Sequence, residues 1–366
     1  MAAVAVHRRH GASRIAFDPY RLARPFLHAL DPEDAHALAL RALEANVVPP
    51  QRRRDDPVLT TTLFGRTMTN PIGLAAGFDK NARVYDRIAA QGFGFVEVGG
   101  VTPRPQRGNP RPRVFRLPDD RAVINRMGFP NEGAVAVEAR LRRAGRASIP
   151  LGVNLASNVD SRDPAADFVQ LATRFAPYGD YLTLDVSCPN TENGQVFLDP
   201  ARLADLLARL DAVPWAERRP ALAAKLAPDI DDDVLERLVA TLLAARIDAI
   251  VVANTTRRRP PGLRSPHAFE PGGLSGPPLF PMALGMLRRT AAMTRGAGVP
   301  LIGVGGVASG ADAYAMLRAG ASAVQLYTGL VYGGMGLVST IKADLTGLLR
   351  RDGFGSPAEA TAAGEP

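Results

Sequence analysis

The chain contains one thiol, Cys188, within the stretch LDVSCPN at residues 184–190. It ends an apolar run, with Asp185 three residues before it and Asn190 two residues after it. A thiolate acts as a base or nucleophile when cationic neighbours lower the thiol pKa, whereas a lone cysteine is more often a small buried hydrophobe. Cys188 is therefore a candidate catalytic group, and its neighbours decide between the two interpretations.

Other apolar runs also end in polar side chains. The groups that close five of these runs are Lys80, Asn154, Asp185, Asn190, Lys225, Asn254 and Thr255. In a barrel of parallel strands the carboxyl ends meet on one face, where catalytic and ligand-binding groups collect. The sequence thus predicts a single mouth lined by amide, amine and thiol groups.

Two glycine-rich turns follow the last two apolar runs, GVGGVASG at 303–310 and LYTG at 326–329. Backbone N–H groups at such turns bind phosphate in barrels of this type. A phosphate anchor beside lysines and asparagines favours flavin mononucleotide (FMN), because lysine stabilises a reduced flavin and asparagine binds the edge of its ring. No GxGxxG follows the first run, so a nicotinamide site is not indicated, and no HExxH or paired-carboxylate pattern predicts a metal site.

Eight apolar runs, each followed by a helix-like segment, must position these groups. The runs are PIGLAAG (71–77), GFVEVGG (94–100), IPLGVNLAS (149–157), YLTLDVSC (181–188), ALAAKLAP (221–228), AIVVANTT (249–256), PLIGVGG (300–306) and AVQLYTG (323–329). Near-continuous apolarity indicates strands buried on both faces. The sequence therefore predicts an α/β fold, a TIM (β/α)8 barrel over residues 57–352. The segment 112–133 is longer than a connection requires, which is typical of a functional loop.

A small helical domain is predicted before the barrel, at residues 18–56. Asp18-Pro19 and Asp31-Pro32 each place a capping acid before a proline, which predicts two short helices followed by a linker. Their apolar face, flanked by arginines, comprises Leu22, Phe26, Leu27, Leu30, Leu38, Leu43 and Val47. Two roles stay open for this face: packing on the barrel, or resting on a membrane with the arginines towards anionic headgroups.

The net charge of the 366 residues is +8, and residues 1–54 contribute +4, nine arginines against five acidic residues. Nucleic acid is the weaker interpretation of this charge, because no zinc spacing or RNA-binding motif accompanies it. One cysteine forms no internal disulfide, and no apolar stretch is long enough to span a membrane. We expect residues 1–17 to be a basic, disordered N-terminus and residues 353–366 to be a disordered tail.

Several stretches resemble dihydroorotate dehydrogenases: NPIGLAAGFDKNA (70–82), VTPRPQRGNPRPRVFRLPDDRAVINRMGFPNEG (101–133), SCPNT (187–191), GGLSGPPL (272–279), IGVGGVASG (302–310) and VQLYTGL (324–330). The helical pair with LDPEDAH resembles the membrane-associated, quinone-using class, so no iron–sulfur partner subunit is implied. The resemblance implies oxidation of (S)-dihydroorotate to orotate in pyrimidine (UMP) biosynthesis, with FMN as cofactor and membrane quinone as acceptor. The implied location is peripheral, on the cytoplasmic face of a bacterial inner membrane or on a mitochondrial inner membrane.

The resemblance also implies roles for individual residues. Cys188 corresponds to the base that removes the C5 proton while C6 delivers hydride to flavin N5, and Lys225, Phe129 and Thr191 are the other implied catalytic residues. The implied flavin contacts are Ala76, Gly77, Lys80, Gly100, Asn154, Asp185, Lys225, Ala253, Gly276, Gly306, Tyr327 and Thr328. The implied substrate contacts are Lys80, Asn125, Arg126, Met127, Gly128, Phe129, Asp185, Asn190, Asn254 and Thr255.

The chain departs from the family pattern at three places. The quinone-using class has serine where Cys188 stands, and a thiol ionises more easily than a hydroxyl. Asp185 replaces an asparagine that touches the substrate ring, and an ionised carboxylate would repel the substrate carboxylate. Gly100 replaces a threonine, and residues 191–194 replace a proline-glycine lid, so gating can differ.

Three functions therefore stay open. The first is the oxidation of dihydroorotate. The second is FMN-dependent oxidation of another dihydropyrimidine-like or cyclic compound, which Asp185 favours. The third is a flavin-binding protein without catalytic activity, which the retained lysines and asparagines disfavour.

Overall fold

The computed structural model describes residues 19–51, 54–188, 190, 192–216 and 219–364. Two helices, α1 (Pro19–Ala29) and α2 (Pro32–Glu44), open this part of the chain, which confirms the predicted helical pair. The Asp31 carboxylate accepts hydrogen bonds from the backbone N–H groups of Glu33 and Asp34 and so caps α2. The predicted basic segment 1–17 and the predicted cap Asp18 lie outside the described residues.

Eight parallel strands close into a barrel, as the apolar runs predict. In chain order, the strands of the described residues are β1 (Thr61–Leu63), β2 (Arg66–Met68), β3 (Ile72–Leu74), β4 (Phe95–Val101), β5 (Val114–Leu117), β6 (Ala122–Asn125), β7 (Leu151–Leu155), β8 (Tyr181–Asp185), β9 (Ala221–Leu226), β10 (Ala249–Val252), β11 (Gly273–Ser275), β12 (Leu301–Val304) and β13 (Ala321–Leu326). The closed order is β10-β12-β13-β3-β4-β7-β8-β9. The predicted TIM barrel is confirmed.

Helices cover the outside of the barrel. They are α3 (Tyr85–Ala89), α4 (Gly133–Ala144), α5 (Pro164–Phe175), α6 (Pro200–Asp211), α7 (Asp232–Ala244), α8 (Phe280–Met293), α9 (Gly310–Arg318), α10 (Thr328–Gly333), α11 (Gly336–Arg351) and α12 (Pro357–Ala363). Side chains alternate along each strand, so that Leu182 and Leu184 of β8 join the core under the helices while Tyr181 points into the barrel. By the same alternation Asp185 faces the interior at the carboxyl end of β8.

The amino-terminal end of the barrel is closed by aromatic rings. Two glycines make room for them, because a Cβ at Gly152 would lie 2.2 Å from the Tyr181 ring and a Cβ at Gly73 would lie 2.3 Å from the Phe95 ring. The ring of Phe64, in the β1–β2 hairpin, stacks on Tyr181 with centroids 4.6 Å apart. A ligand of the barrel interior must therefore enter at the other end, which we call the barrel mouth.

A three-stranded antiparallel sheet, in the order β11-β6-β5, stands beside the mouth. The predicted functional loop at 112–133 contains two of its strands, and β6 ends at Asn125. β11 pairs antiparallel with β6, and Gly273 lies opposite Asn125 in the register. This sheet positions the candidate substrate residues that follow β6.

The C-terminal segment corrects one prediction. Residues 353–366 were expected to be disordered because they are rich in small residues, but α12 spans Pro357–Ala363. The Ser356 side chain caps this helix through the N–H of Glu359, and Ala360 is fully buried. The Thr361 hydroxyl donates to the carbonyl oxygen of Ala321 at 2.7 Å, which holds the helix against β13.

The helical pair both binds the barrel and exposes apolar side chains. The Tyr20 hydroxyl donates to the carbonyl oxygen of Val331 at 2.6 Å, and Arg113 forms an ion pair with Glu33 at 2.8 Å. Large apolar side chains remain exposed on the pair and after it: Leu22, Phe26, Leu30, Leu38 and Val47. Among the helices of the described residues, none has the length and hydropathy of a membrane span.

Candidate functional site

The structure brings the predicted thiol, carboxyl and amine together at the mouth. Asp185 is the last residue of β8, and its register partner on β9 is Lys225. Asp185, Lys225 and Cys188 are each less than a tenth exposed. The Ser187 hydroxyl donates to the carbonyl oxygen of Lys225 at 2.7 Å, which fixes the segment before Cys188 against β9.

The protonation of Cys188 differs from the expectation. Cationic neighbours were expected to lower the thiol pKa, but burial and then the Asp185 carboxylate raise it. Lys225 and Arg257 oppose this shift without reversing it. Cys188 is therefore a protonated thiol at neutral pH, which holds a proton rather than accepting one.

Asp185 is a buried carboxyl with an unusual affinity for protons. Burial is the main reason that the pKa of Asp185 rises to about 6; Lys225 lowers it and Glu97 raises it further. The Asn254 amide donates to Asp185 Oδ1 at 3.1 Å. The Asn254 Oδ1 in turn accepts from the N–H of Thr255 at 2.8 Å, so the amide orientation is fixed.

The predicted substrate segment after β6 lies against the loop of Cys188. The Asn190 amide donates to Asn125 Oδ1 at 3.3 Å. The Asn109 amide bridges the two segments, donating to the carbonyl oxygens of Asn190 and Arg126. The Gln106 amide holds the carbonyl oxygen of Gly128 at 3.0 Å. Asn109 and Gln106 were not predicted as site residues, although the quoted motif 101–133 contains both.

Phe129, Gly100 and Asn154 meet where β4 and β7 reach the mouth. A Cβ at Gly100 would lie 2.8 Å from the Phe129 ring and 3.1 Å from Asn154 Oδ1. The Phe129 ring therefore occupies the space that a side chain at residue 100 would need. This contact gives a physical reason for glycine at a position where the family pattern has threonine.

A polar group that the sequence reasoning missed lies beneath Asn154. Glu97 is fully buried inside the barrel, and its carboxylate accepts from the Asn154 amide at 3.0 Å, the Tyr181 hydroxyl at 3.0 Å and the Gln325 amide at 2.9 Å. We call these four residues the interior column. Because the Asn154 amide nitrogen donates downwards, its oxygen faces away, buried and without a hydrogen-bond partner in the described residues. In the sequence, the sign of this buried group was one glutamate, Glu97, within the apolar run GFVEVGG.

Lys80, Gly77 and Tyr327 form the predicted flavin side of the mouth. The Lys80 amine donates to the carbonyl oxygen of Gly77 at 2.5 Å, and burial lowers the pKa of Lys80 to about 8. A Cβ at Gly77 would touch the Tyr327 ring at 3.6 Å, and the φ of Gly77 is +98°, which favours glycine.

The glycine-rich turns meet at the remaining edge of the mouth. Gly276 and Gly306 have φ values of +97° and +78°, and a Cβ on Gly306 would lie 2.6 Å from the backbone nitrogen of Phe280. The Thr328 hydroxyl donates to the Ser275 hydroxyl at 2.8 Å. The turns after β11, β12 and β13 are therefore held close together, as a phosphate anchor requires.

The other predicted residues take different positions. Ala76 follows β3 beside Gly77, and Ala253 follows β10 with its N–H donating to Val304. The Met127 carbonyl oxygen accepts from the Asn109 N–H. The Arg126 guanidinium turns to Glu270, at 2.9 Å, so only its backbone remains for the substrate site. The predicted catalytic residue Thr191 lies outside the described residues.

An aromatic cluster joins the helical pair to the mouth, and the sequence reasoning missed it. The ring of His36 on α2 meets the Phe78 ring edge-on at a centroid distance of 5.1 Å and the Tyr327 ring at 6.3 Å. Burial is the main cause that lowers the pKa of His36 to about 3, so the ring is neutral at physiological pH. The helical pair thus contacts the flavin side of the mouth through uncharged rings.

Comparison with known proteins identifies the family. The family model described as dihydroorotate dehydrogenase matches residues 58–349, which include every barrel strand. This chain belongs to the dihydroorotate dehydrogenase family. The family is flavin-dependent, which agrees with the predicted type of cofactor.

Relatives in the dihydroorotate dehydrogenase family match along almost the whole chain. A dihydroorotate dehydrogenase (quinone) of Rhodospirillum rubrum is 50% identical over 349 residues, 94% of this chain and 95% of that protein. A mitochondrial dihydroorotate dehydrogenase (quinone) of Arabidopsis thaliana is 44% identical over 377 aligned positions, 95% of this chain and 82% of that protein. The crystal structure of an Eimeria tenella DHODH in complex with ferulenol is 36% identical, with a TM-score of 0.87, and covers 91% of this chain and 95% of that one.

Proposed function

We propose that this protein oxidises dihydroorotate to orotate in pyrimidine biosynthesis and passes the electrons to quinone, with FMN as the cofactor. The relatives in the quinone-dependent class support this activity over nearly the full length of the chain. The single observation that carries the proposal is that Cys188, Asn190, Asn125 and Asn254 converge on the same mouth as the flavin-side residues.

The residues at the mouth fit a flavin. The buried oxygen of Asn154 needs an N–H donor from a ligand, and a flavin ring edge provides one. Lys225 brings a positive charge beside Asp185 at the mouth, and the glycines of the adjoining turns leave backbone exposed for a phosphate. When bound, FMN supplies a two-electron acceptor for the hydride that leaves C6 of the substrate.

Side chains of the protein orient the substrate and accept the proton that it releases. Asn125, Asn190 and Asn254 present amide groups that bind the flat polar ring, and the ammonium of Lys80 attracts its carboxylate. Cys188 must react as a thiolate, so it first releases its own proton to solvent and then accepts the proton that C5 releases. Asp185, Cys188 and Lys225 are all buried, which limits the access of water while the substrate proton is transferred.

The helical pair gives quinone a route to the mouth. The exposed side chains of α1 and α2 suit an interfacial position on a membrane, and the His36–Phe78–Tyr327 cluster leads from α2 to the flavin side. An apolar quinone headgroup can reach Tyr327 along uncharged rings. We propose that the protein is a peripheral membrane protein on these grounds.

Asp185 is the observation that favours the second candidate, an FMN-dependent oxidoreductase of another dihydropyrimidine-like ring. A buried carboxylate at hydrogen-bond distance from Asn254 suits a ligand that offers N–H groups without a negative charge. Direct turnover of dihydroorotate distinguishes the two candidates.

The test is anaerobic mixing of the purified yellow protein with dihydroorotate, followed by a soluble quinone. We expect the flavin absorbance to bleach and then to return. Cys188→Ala should keep FMN but bleach roughly 100- to 10,000-fold more slowly, because it lacks the base. No bleaching at about 1 mM dihydroorotate, a concentration at the upper end of usual KM values, would contradict the proposed substrate.

A further inference from the structure

Asp185 is a buried carboxyl group at the mouth, at a position that the family resemblance gives to the substrate site. It ends β8 beside Lys225 of β9, is 8% exposed, and accepts a hydrogen bond from Asn254. Asparagine would offer one donor and one acceptor at this position, whereas an ionised aspartate offers acceptors only. A protonated aspartate recovers one donor and one acceptor, which is the hydrogen-bonding pattern of the amide.

The charged groups around Asp185 come from three elements. Lys225 on β9 stabilises the ionised form, Glu97 on β4 opposes it, and Cys188, in the segment after β8, is a neutral thiol. Burial outweighs Lys225, so the pKa of Asp185 lies at about 6. Asp185 is therefore mostly ionised at neutral pH, but little energy is needed to protonate it.

We infer that Asp185 takes up one proton from solvent when dihydroorotate or orotate binds. This inference rests on the proposed function, since it needs a ligand with a carboxylate. A second negative charge in a buried site raises the pKa of a carboxyl group, and the proton removes the repulsion between them. The ligand and the proton thus bind together, and each strengthens the binding of the other.

Proton uptake is measured directly by titration calorimetry of the holoenzyme with orotate. Repeating the titration near pH 7 in two buffers of different ionisation enthalpy gives the number of protons bound. A group with a pKa of about 6 is about 90% ionised at that pH, so Asp185 should take up about 0.9 proton per orotate. With about 0.1 more through Lys80, the native protein should take up about 1.0 proton. The near-isosteric variant Asp185→Asn should take up about 0.1.

Lys80 accounts for the remaining uptake and serves as an internal control. With a pKa of about 8, the Lys80 amine is neutral in about one tenth of the molecules near pH 7. Binding of an anionic ligand would protonate this fraction in the native protein and in Asp185→Asn alike. Uptake through Lys80 grows from about 0.1 near pH 7 to about 0.5 at pH 8, whereas uptake through Asp185 is already nearly complete near pH 7. The two sources are therefore separated by the pH at which they act.

The affinity for orotate gives a second measurement that needs no variant. Between about pH 6.5 and about pH 8, the dissociation constant of the native protein should increase roughly 20-fold through Asp185 and about twofold more through Lys80. Asp185→Asn should show only the twofold change, with an unaltered flavin spectrum as evidence of folding.

The outcomes separate this inference from the proposed function. Orotate binding to the native protein without proton uptake, or with an affinity that does not depend on pH, overturns the inference alone. Equal uptake by native protein and Asp185→Asn overturns it as well. Absence of orotate binding to both proteins contradicts the proposed function and the inference with it.

Discussion

Two ionisable side chains, Asp185 and Cys188, influence each other's protonation at the mouth. The carboxylate of Asp185 is the second cause, after burial, that raises the pKa of the thiol. Protonation of Asp185 removes this charge and so lowers the pKa of Cys188. Proton uptake by Asp185 from solvent on ligand binding should therefore also favour loss of the Cys188 proton.

Asp185→Asn should therefore make Cys188 a stronger acid in the ligand-free protein. Cys188 is the only cysteine of the chain, so its alkylation by iodoacetamide, followed by mass spectrometry, reports the thiolate fraction at this site. Because the thiol pKa is raised, alkylation of the native protein should accelerate as pH rises into the alkaline range. In Asp185→Asn the same rates should appear at lower pH.

A control for this measurement is Asp205→Asn, which removes a charge from the exposed surface of α6. Its alkylation profile should coincide with that of the native protein. Equal profiles for native protein and Asp185→Asn would show that the carboxylate does not act on the thiol.

Among the elements, the interior column connects the closed end of the barrel to the mouth. Glu97 fixes the Asn154 amide from below, and Tyr181 and Gln325 complete the coordination of its carboxylate. A buried charge without these donors would be strongly destabilising. We expect the column to set the direction of the Asn154 oxygen and hence the affinity for FMN.

Glu97→Gln tests this role. The neutral side chain cannot accept from all three donors, so the Asn154 amide loses its fixed orientation and FMN should bind at least about tenfold more weakly. Tyr181→Phe removes another bond to the same carboxylate and leaves the Asn154 bond intact. It should cost about 1–3 kcal/mol of stability without changing FMN affinity. Flavin fluorescence on dilution measures the dissociation constant of FMN. Equal losses of FMN affinity in the two variants would show that the interior column has only a structural role.

The barrel strands could be predicted because they are buried on both faces, but the column could not. A run such as GFVEVGG predicts a strand. It does not predict that Glu97 accepts hydrogen bonds from Tyr181 and Gln325, because these residues lie far away in the sequence. The positions of Cys188, Asp185 and Lys225 followed from the strand ends. Their protonation did not, because it depends on burial and on distances across the mouth.

The helix α12 was missed for a different reason. Small residues in the tail resemble the composition of a disordered segment, but Ser356 and Glu359 have the spacing of a capping box. The Ser356 hydroxyl accepts from the N–H of Glu359, and the Glu359 carboxylate accepts from the N–H of Gly355, the residue before the cap. Proline at residue 357 suits the first helical position. The local pattern Ser356-Pro357 with Glu359 predicts the start of a helix, but the average composition of the tail was given more weight.

Ala360→Asp should destabilise the protein, because it buries a charge against the barrel at a fully buried position. The expected loss is about 3 kcal/mol, or undocking of the helix with faster proteolysis of the tail. Ala358→Asp places the same charge on the exposed face of the first turn, where it should change stability by less than about 0.5 kcal/mol. Urea unfolding and limited proteolysis measure both effects, and equal behaviour would argue against docking of α12.

At the scale of the whole molecule, we propose that the barrel and the helical pair serve different half-reactions. The barrel holds the candidate site for dihydroorotate, and the pair, attached through Arg113–Glu33 and Tyr20, carries the exposed apolar side chains. Contact between them runs through His36, Phe78 and Tyr327. Damage to the outer surface of the pair should therefore affect the quinone half-reaction alone.

The double variant Leu22→Glu/Phe26→Glu tests this separation. These side chains are 64% and 77% exposed, so two carboxylates there should leave the fold intact while opposing insertion into an anionic membrane surface. We expect binding to anionic liposomes and turnover with liposome-embedded quinone to fall at least about tenfold. Bleaching of the flavin by dihydroorotate should be unchanged. Val135→Glu, at a 68% exposed position on α4 of the barrel, is the matched control and should retain both half-reactions. Full liposome binding by the double variant would exclude this face as the membrane contact, because the two most exposed apolar side chains of α1 would then be dispensable.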